Sequence, residues 1–186
     1  MPDERNRVCP VELANSLDSK IRRWLHNPQR ILAPFVKEGM TVLDVGCGPG
    51  FFSVELAKLV GRTGKVISVD LQQGMLDRLR NKIRGTELQE RITLVQCDTD
   101  GLHVPAKFDF GLAFYMVHEV PGKEPFFKEL KTLLKETGQI LMVEPKLFHV
   151  SREEFAQTSS IARKAGFVVH DGPRLAFSWS AILRNA

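Results

Sequence analysis

The order of hydrophobic and polar positions predicts strands that alternate with helices from Thr41 onward. Short runs of β-branched and aliphatic residues, such as Ile92–Val95, indicate buried strands. Between these runs, apolar residues recur at helical spacing, as at Leu76, Leu79 and Ile83. Because such alternation is typical of a parallel sheet covered by helices on both faces, we predict an α/β fold with a doubly wound sheet.

The N-terminal segment predicts a helical cap on this sheet. Residues 12–36 form two short helices by their pattern, separated near Asn27 and Pro28, and the first carries an apolar stripe. With 186 residues and 43% hydrophobic composition, the chain can bury one substantial core but is too short for two ordinary domains. We therefore expect a single domain over residues 1–186, of which residues 1–36 form the cap.

The segment around the fourth strand, Phe108–Phe114, predicts a short crossover before it and a long one after it. Residues 99–107 are too few for a full crossover helix. After the strand, Pro125 opens a helix whose apolar residues share one face through Leu134. A turn at residues 136–138 then leads into a fifth strand.

The last part of the chain predicts a helix and a hairpin. Ser151–Glu154 has the capping-box pattern, so a helix should begin there and end at Gly166. Phe167–His170, a turn at residues 171–173 and alternating large residues from Leu175 onward predict two antiparallel strands.

Composition and charge narrow the function classes. The net charge is +4, but Lys and Arg mix with Asp and Glu along the chain. The densest basic groups, Lys20–Trp24 and Arg78–Arg84, are expected to be solvated faces of helices, so RNA binding stays a secondary hypothesis. The chain contains no apolar run of roughly 18 residues, so we expect no membrane span and a cytosolic protein. Cys9, Cys47 and Cys97 have neither metal-ligand nor disulfide spacing, which predicts free thiols and no metal site.

The segment Val42–Gly50 joins the first strand to a glycine-rich turn that suits a bound ligand. Its glycines can adopt positive φ and let the backbone approach a ligand closely. Two phenylalanines follow where a P-loop needs Lys and Ser or Thr, and the first stands where the dinucleotide motif needs a third glycine. A ligand with a small zwitterionic head remains, and Asp44 could receive its ammonium group. The glycines are Gly46, Gly48 and Gly50.

This segment resembles the first motif of the class I S-adenosylmethionine-dependent methyltransferases, and the likeness extends over residues 30–184. The resemblance implies a Rossmann-like, seven-stranded, mostly parallel sheet in the order 3-2-1-4-5-7-6, with the last strand antiparallel. It also implies S-adenosylmethionine as the cofactor. By this resemblance Asp70 binds both ribose hydroxyls, Leu71 touches the adenine, and Asp98 accepts from the adenine amine. The full predicted cofactor site is Asp44, Gly46, Cys47, Gly48, Gly50, Asp70, Leu71, Asp98, Thr99 and Phe114.

The segment after the fourth strand passes beside the methyl group in the resembling enzymes, and here it contains His118 and Glu119. His118 could act as a base or an orienting donor, and Glu119 as its partner or as a substrate contact. Alternatively, the two residues cap the helix that follows. We also expect Tyr115 or Trp24 to stack on the ligand, or else to serve packing.

Residues 115–118 lack the Asn/Asp-Pro-Pro-aromatic motif of enzymes that methylate exocyclic amines of bases or glutamine side chains. A small-molecule acceptor with a carbon, oxygen or sulfur atom is favoured instead. The loop with Glu144, Lys146 and His149 could line the acceptor pocket, although exposed loop positions are an equal reading. An RNA methyltransferase, a non-catalytic cofactor-binding module and, more distantly, an oxidoreductase stay open as alternatives.

Overall fold

The computed structural model describes residues 26–146 and 150–186, and seven strands form one sheet. The order β3-β2-β1-β4-β5-β7-β6 confirms the predicted fold class. Strands β1 to β5 are parallel, and β7 is antiparallel to both β5 and β6. The strands are β1 Thr41–Val45, β2 Lys65–Asp70, β3 Ile92–Gln96, β4 Phe108–Phe114, β5 Leu134–Pro145, β6 Phe167–Asp171 and β7 Ser178–Asn185.

Helices cover both faces of the sheet, as the alternating pattern predicts. One core holds the apolar faces of α1, α2 and α3, and the other holds those of α4 and α5. Successive strand residues such as Val42 and Leu43 enter opposite cores because side chains alternate across a strand. The helices are α1 Pro28–Leu32, α2 Ser53–Leu59, α3 Gln73–Ile83, α4 Lys123–Leu133 and α5 Arg152–Lys164, with 3₁₀ turns at Glu87–Glu90 and Val117–Glu119.

The register of the central strands brings three chain segments to one edge of the sheet. Val45 at the end of β1 is level with Val69 in β2 and Ala113 in β4. The residues that follow these strands therefore emerge side by side at the carboxyl edge, where open α/β sheets bind ligands.

Two predicted boundaries around β5 are wrong. Helix α4 begins at Lys123, two residues before Pro125, and Leu134 belongs to β5 instead of the helix. The expected turn at residues 136–138 is an irregularity within β5, since Leu134 pairs with Phe108 and Gln139 pairs with Phe110. A Cβ atom on Gly138 would lie 2.5 Å from Leu134 Cδ1, so this bulge requires glycine.

The C-terminal hairpin is confirmed, but its connection is longer than predicted. Residues 172–177 join β6 to β7, so Leu175 and Phe177 lie in the connection instead of the strand. Because β7 lies between β5 and β6 with both faces covered, the consecutive residues 181–183 are all buried and no alternation appears there.

The described part of the N-terminal segment contains α1, whose first turn is capped by Asn27. The other predicted helix, with Trp24 and the apolar stripe, lies outside the described residues, so the cap and the one-domain organisation stay predictions. Residues 99–107 contain no helix, as expected from their number. Within the part of the chain that the structure describes, no helix combines the length and apolar character needed to cross a bilayer.

Candidate functional site

A cavity of about 530 Å³ opens at the carboxyl edge of the sheet. It lies beyond the ends of β1, β2 and β4 and extends between the loop after β3 and the start of α4. Most of the predicted site residues line it. They are Asp44, Gly46, Cys47, Gly48, Asp70, Leu71, Asp98, Thr99, Phe114 and Glu119.

Two predicted site residues, Gly50 and His118, are not among the described residues that line this cavity. The Cβ position of Gly50 faces Leu79, and His118 contacts Glu144. Their predicted contacts with cofactor or acceptor therefore find no direct support in the geometry.

The three glycines of the loop adopt positive φ, as predicted, but the surroundings of their Cβ positions differ. A Cβ atom on Gly46 would lie 2.8 Å from Met116 Cβ, and one on Gly50 would lie 2.3 Å from Leu79 Cδ1. At Gly48 no described atom lies within 4 Å of that position. Gly46 and Gly50 are thus required by protein packing, whereas the space beside Gly48 belongs to the cavity.

The carboxylate of Asp44 is buried at the bottom of this loop, with 2% of its surface exposed. Its Oδ2 accepts a hydrogen bond of 2.5 Å from the hydroxyl of Ser53, at the start of α2. Ser68 in β2 donates in turn to the Ser53 hydroxyl at 3.0 Å. This chain of hydroxyls fixes the orientation of Asp44 at the cavity wall.

The carboxylate of Asp70 holds the glycine loop through hydrogen bonds to backbone N–H groups. Its Oδ2 accepts from the backbone N–H of Gly48 at 2.8 Å, and its Oδ1 accepts from that of Gln72 at 2.9 Å. Burial raises the pKa of Asp70, and the backbone N–H donors oppose that shift. Each carboxylate oxygen can accept a further hydrogen bond, so Asp70 can hold the glycine loop and still accept from a ligand.

Asp98 forms a turn in the loop after β3 and pairs with a histidine. Its Oδ1 accepts from the N–H groups of Asp100 and Gly101, and its Oδ2 lies 2.7 Å from His103 Nε2. The hydrogen bond from His103 lowers the pKa of Asp98, with the backbone donors adding to it. The side chains of Asp98 and His103 are both more than half exposed, whereas Asp70 is buried.

The thiols of Cys47 and Cys97 are free and face the same cavity. Burial, together with the charges of Asp44 and Asp70, raises the pKa of Cys47 well above its usual range. Burial and the charge of Asp70 raise the pKa of Cys97 to about 11. Both thiols are therefore protonated at neutral pH and act as small packing groups.

The segment from Met116 to Phe126 forms an apolar part of the cavity wall with one carboxylate. Met116, Val120, Pro121 and Phe126 line the cavity there together with Glu119. A further carboxylate in the lining is that of Glu129 in α4. The pattern of the sequence did not single out this residue.

Glu129 reaches the cavity through a contact between distant parts of the chain. Its Oε1 accepts from the backbone N–H of Leu102 at 2.8 Å and so ties α4 to the loop after β3. The two residues are 27 positions apart, and a Glu on an amphipathic helix carries no local signal of such a role.

Tyr115 lines the cavity directly after the end of β4. Its φ of 61° is unusual for a residue other than glycine. The backbone N–H of Tyr115 donates to Val143 O at 2.8 Å, and its hydroxyl lies 2.6 Å from Ser178 Oγ. Tyr115 thus lines the cavity in a conformation held from both sides by β5 and β7, and its stacking on the ligand stays a prediction.

His118 contacts the buried carboxylate of Glu144 at the end of β5. His118 Nδ1 lies 2.7 Å from Glu144 Oε2, and His118 Nε2 lies 3.9 Å from Glu119 Oε1. Burial lowers the pKa of His118, but the hydrogen bond and charge of Glu144 and the charge of Glu119 outweigh it. The net pKa lies above the usual 6.5.

Neither His118 nor Glu119 belongs to α4, whose N-cap position is Gly122. The two residues form a separate 3₁₀ turn instead. The capping alternative for them is therefore disfavoured.

The loop after β5 does not supply the acceptor pocket in the expected way. Glu144 is 1% exposed and points at the Val117–Glu119 turn. Lys146 turns away, with its Nζ 4.3 Å from the centre of the Trp179 ring. His149 lies outside the described residues. Among residues 26–146 and 150–186, no group of His, Cys, Asp and Glu could hold a metal ion.

Comparison with known proteins places this geometry in a family. The family described as Methyltransferase domain matches residues 36–176, which is more than half of the chain. A demethylmenaquinone methyltransferase of Lactobacillus johnsonii is 38% identical over 112 residues, covering 59% of this chain and 45% of that protein. A ubiquinone/menaquinone biosynthesis C-methyltransferase UbiE of Haemophilus ducreyi is 29% identical over 143 residues, covering 73% and 54%. The chain thus spans about half the length of these relatives.

A solved structure supports the same assignment over the whole sheet. A SAM-dependent methyltransferase from Aquifex aeolicus superposes with a TM-score of 0.83 and 26% identity, covering 95% of this chain and 98% of that one. This chain therefore belongs to the class I S-adenosylmethionine-dependent methyltransferases, and S-adenosylmethionine is its cofactor.

Proposed function

We propose that this protein transfers a methyl group from S-adenosylmethionine to a small organic acceptor bound beside Glu119. The observation that carries the proposal is one continuous cavity that joins the glycine loop and the strand-end acids to an apolar end with a carboxylate. Its volume of about 530 Å³ lies within the range of small-molecule sites.

The cofactor end of the cavity fits the donor. The space beside Gly48 would be filled by a Cβ atom, so glycine there permits close approach to the amino-acid part. Asp44 would attract the ammonium group, and Asp70 would accept from the ribose hydroxyls. Asp98, Leu71 and the other predicted residues after β3 and β4 would surround the adenine. These residues are Thr99 and Phe114.

The acceptor end would supply a proton acceptor and an environment without water. When bound, S-adenosylmethionine supplies a methyl group whose bond to the sulfonium sulfur breaks with the electron pair staying on sulfur. Glu119 would take the proton that the acceptor loses as its new bond to the methyl carbon forms. Val120, Pro121 and Phe126 would orient the acceptor and exclude water. His118 does not line this end, and its proposed role is to position Glu119.

The charge of the cavity supports a small acceptor over RNA. Its lining includes six acidic side chains, and within the described part of the chain it includes no Lys, Arg or His. Recognition of RNA phosphates depends on Lys and Arg, so an acidic cavity disfavours it. Arg22 and Arg23, which motivated the RNA hypothesis, lie outside the described residues. The acids are Asp44, Asp70, Asp98, Asp100, Glu119 and Glu129.

A transfer assay with labelled donor tests this function. Demethylmenaquinone, named for the Lactobacillus johnsonii relative, is the first acceptor to try, followed by metabolite extracts and RNA. We expect Glu119→Gln to lower turnover by about 100-fold or more, because a general base contributes on that order. Glu124→Gln, on the exposed side of α4, is the matched control and should leave turnover unchanged.

Other outcomes of the assay favour the alternatives. Donor binding measured by calorimetry, without transfer to any acceptor, would support a non-catalytic module. Labelled RNA, with binding that weakens steeply as salt rises, would support an RNA methyltransferase. A cytosolic location stays a prediction.

A further inference from the structure

The carboxylate of Glu144 collects three N–H donors from one short turn. Its Oε1 accepts from the backbone N–H of Val117 at 3.0 Å, and its Oε2 accepts from the backbone N–H of His118 at 3.1 Å. The same Oε2 accepts from Nδ1 of His118 at 2.7 Å. Both oxygens of a side chain that is 1% exposed are thus directed at the segment that ends in Glu119.

Burial of the Glu144 carboxylate is unfavourable unless hydrogen bonds and nearby positive charge compensate for the loss of solvation. Here the compensation comes wholly from a three-residue 3₁₀ turn, a structure with few internal hydrogen bonds. The turn and the carboxylate therefore stabilise each other across 26 positions of sequence. Any loss of Glu144 leaves backbone donors of the turn without this acceptor.

The contact also fixes the protonation form of His118. A carboxylate only accepts hydrogen bonds, so Nδ1 must carry a proton, and Nε2 becomes the atom that titrates. That atom lies 3.9 Å from Oε1 of Glu119, whose side chain lines the cavity. His118 therefore lies between two carboxylates, one buried and one at the acceptor end.

We propose that Glu144 is a positioning residue for methyl transfer: it holds the Val117–Glu119 turn and the Nδ1–H form of His118, and through them keeps the Glu119 carboxylate at the acceptor end of the cavity. This inference rests on the proposed function. Among the three ionisable residues Glu119, His118 and Glu144, it assigns contact with the acceptor to Glu119 and gives the other two no contact with the reacting atoms.

The charges around His118 support this arrangement. Burial disfavours the imidazolium, but Glu144 on β5 and Glu119 on the same turn favour it, so the pKa of His118 is raised. Lys123 at the start of α4 opposes the shift, and Glu154 on α5 faces the same region. A protonated His118 attracts the Glu119 carboxylate, which favours the position of that side chain beside the turn.

An NMR titration of the His118 ring tests the inference without knowledge of the acceptor. We expect a midpoint above the ordinary histidine value in the wild type and a lower midpoint in both Glu119→Gln and Glu144→Gln. Glu124→Gln should leave the midpoint unchanged. An unchanged midpoint in Glu119→Gln would mean that His118 and Glu119 do not interact, and the inference would be wrong.

A His118 variant keeps the test valid if Glu144→Gln fails to fold. His118→Asn places an amide N–H near the position of Nδ1 and removes Nε2. We expect His118→Asn to bind the donor within about twofold of the wild type while turnover falls about tenfold or more. Wild-type turnover in His118→Asn would overturn the inference.

These results separate the inference from the proposed function. If the wild type transfers label but Glu119→Gln does not move the His118 midpoint, only the positioning role fails. If the midpoints shift as expected but no acceptor gains label, the proposed function fails and the contact itself stands.

Discussion

Gly48 is the residue at which the glycine loop meets the ligand space. Its φ is 53°, and no described atom lies within 4 Å of the place where a Cβ atom would stand. We predict that Gly48→Ala lowers the free energy of unfolding by about 1 kcal/mol, because positive φ is unfavourable for alanine. We also predict about tenfold or greater loss of S-adenosylmethionine affinity, because the methyl group enters the cavity.

Gly85 provides a matched control for this prediction. It follows α3 with a φ of 70°, has no described atom within 4 Å of its Cβ position, and does not line the cavity. Gly85→Ala should lower stability by a similar amount and leave donor affinity unchanged. Calorimetric titration of both variants gives the comparison, and equal loss of affinity in the two would contradict the role of Gly48.

Residues that act through local geometry were predictable from the sequence, and residues that act through distant contacts were not. The glycine loop could be placed because it directly follows β1, and Asp70 because it is the last residue of β2. The contacts of Glu144 with His118 and of Glu129 with Leu102 join positions 26 and 27 apart, so no local pattern indicates them. The sequence placed His118 on the segment after β4, but it could not predict that the side chain contacts Glu144.

At the scale of single elements, α5 shows how a short signal defines a helix. Ser151 Oγ accepts from the N–H of Glu154 at 3.1 Å, and the Glu154 carboxylate accepts from the N–H of Ser151 at 2.7 Å. We predict that Ser151→Ala lowers the free energy of unfolding by about 1 kcal/mol, because the first turn loses its cap. Urea unfolding measures the change.

Ser160, exposed in the same helix, offers the same substitution without a cap. Ser160→Ala should leave stability unchanged or raise it by a few tenths of a kcal/mol, since alanine favours helix interiors. If both variants lose equal stability, the capping box does not contribute as the structure indicates.

Element boundaries were predicted well where local hydrogen bonds define them, and poorly where pairing with a neighbouring strand defines them. The capping box and Gly166 mark the start and the end of α5 correctly. By contrast, β5 continues through residues that resemble a turn, because pairing with β4 resumes at Gln139 after a bulge. The register between β5 and β4 depends on the position of β4, so the sequence pattern of β5 alone cannot predict it.

At the scale of the whole molecule, the pKa of His118 links stability to pH. A histidine whose pKa is raised on folding contributes stability that is fully present below its unfolded value of about 6.5. That contribution is lost as the pH rises through the raised folded value. We therefore predict that the stability advantage of the wild type over His118→Asn is largest near pH 6 and shrinks at higher pH.

Chemical denaturation at a series of pH values tests this prediction. His103 also has a raised pKa, because of Asp98, but it is present in both proteins, so its contribution cancels in the difference. A difference in stability that is constant, or that grows, between pH 6 and pH 9 would contradict the assignment.

The position of β7 sets the order in which the sheet can be assembled. β6 pairs with β7, and β7 in turn pairs with β5. Although β6 precedes β7 in the chain, it joins the sheet only after β7 has paired with β5. Any local opening that frees β7 from β5 also releases β6 from the rest of the sheet, so the hairpin and its helix should detach and return as one cooperative unit.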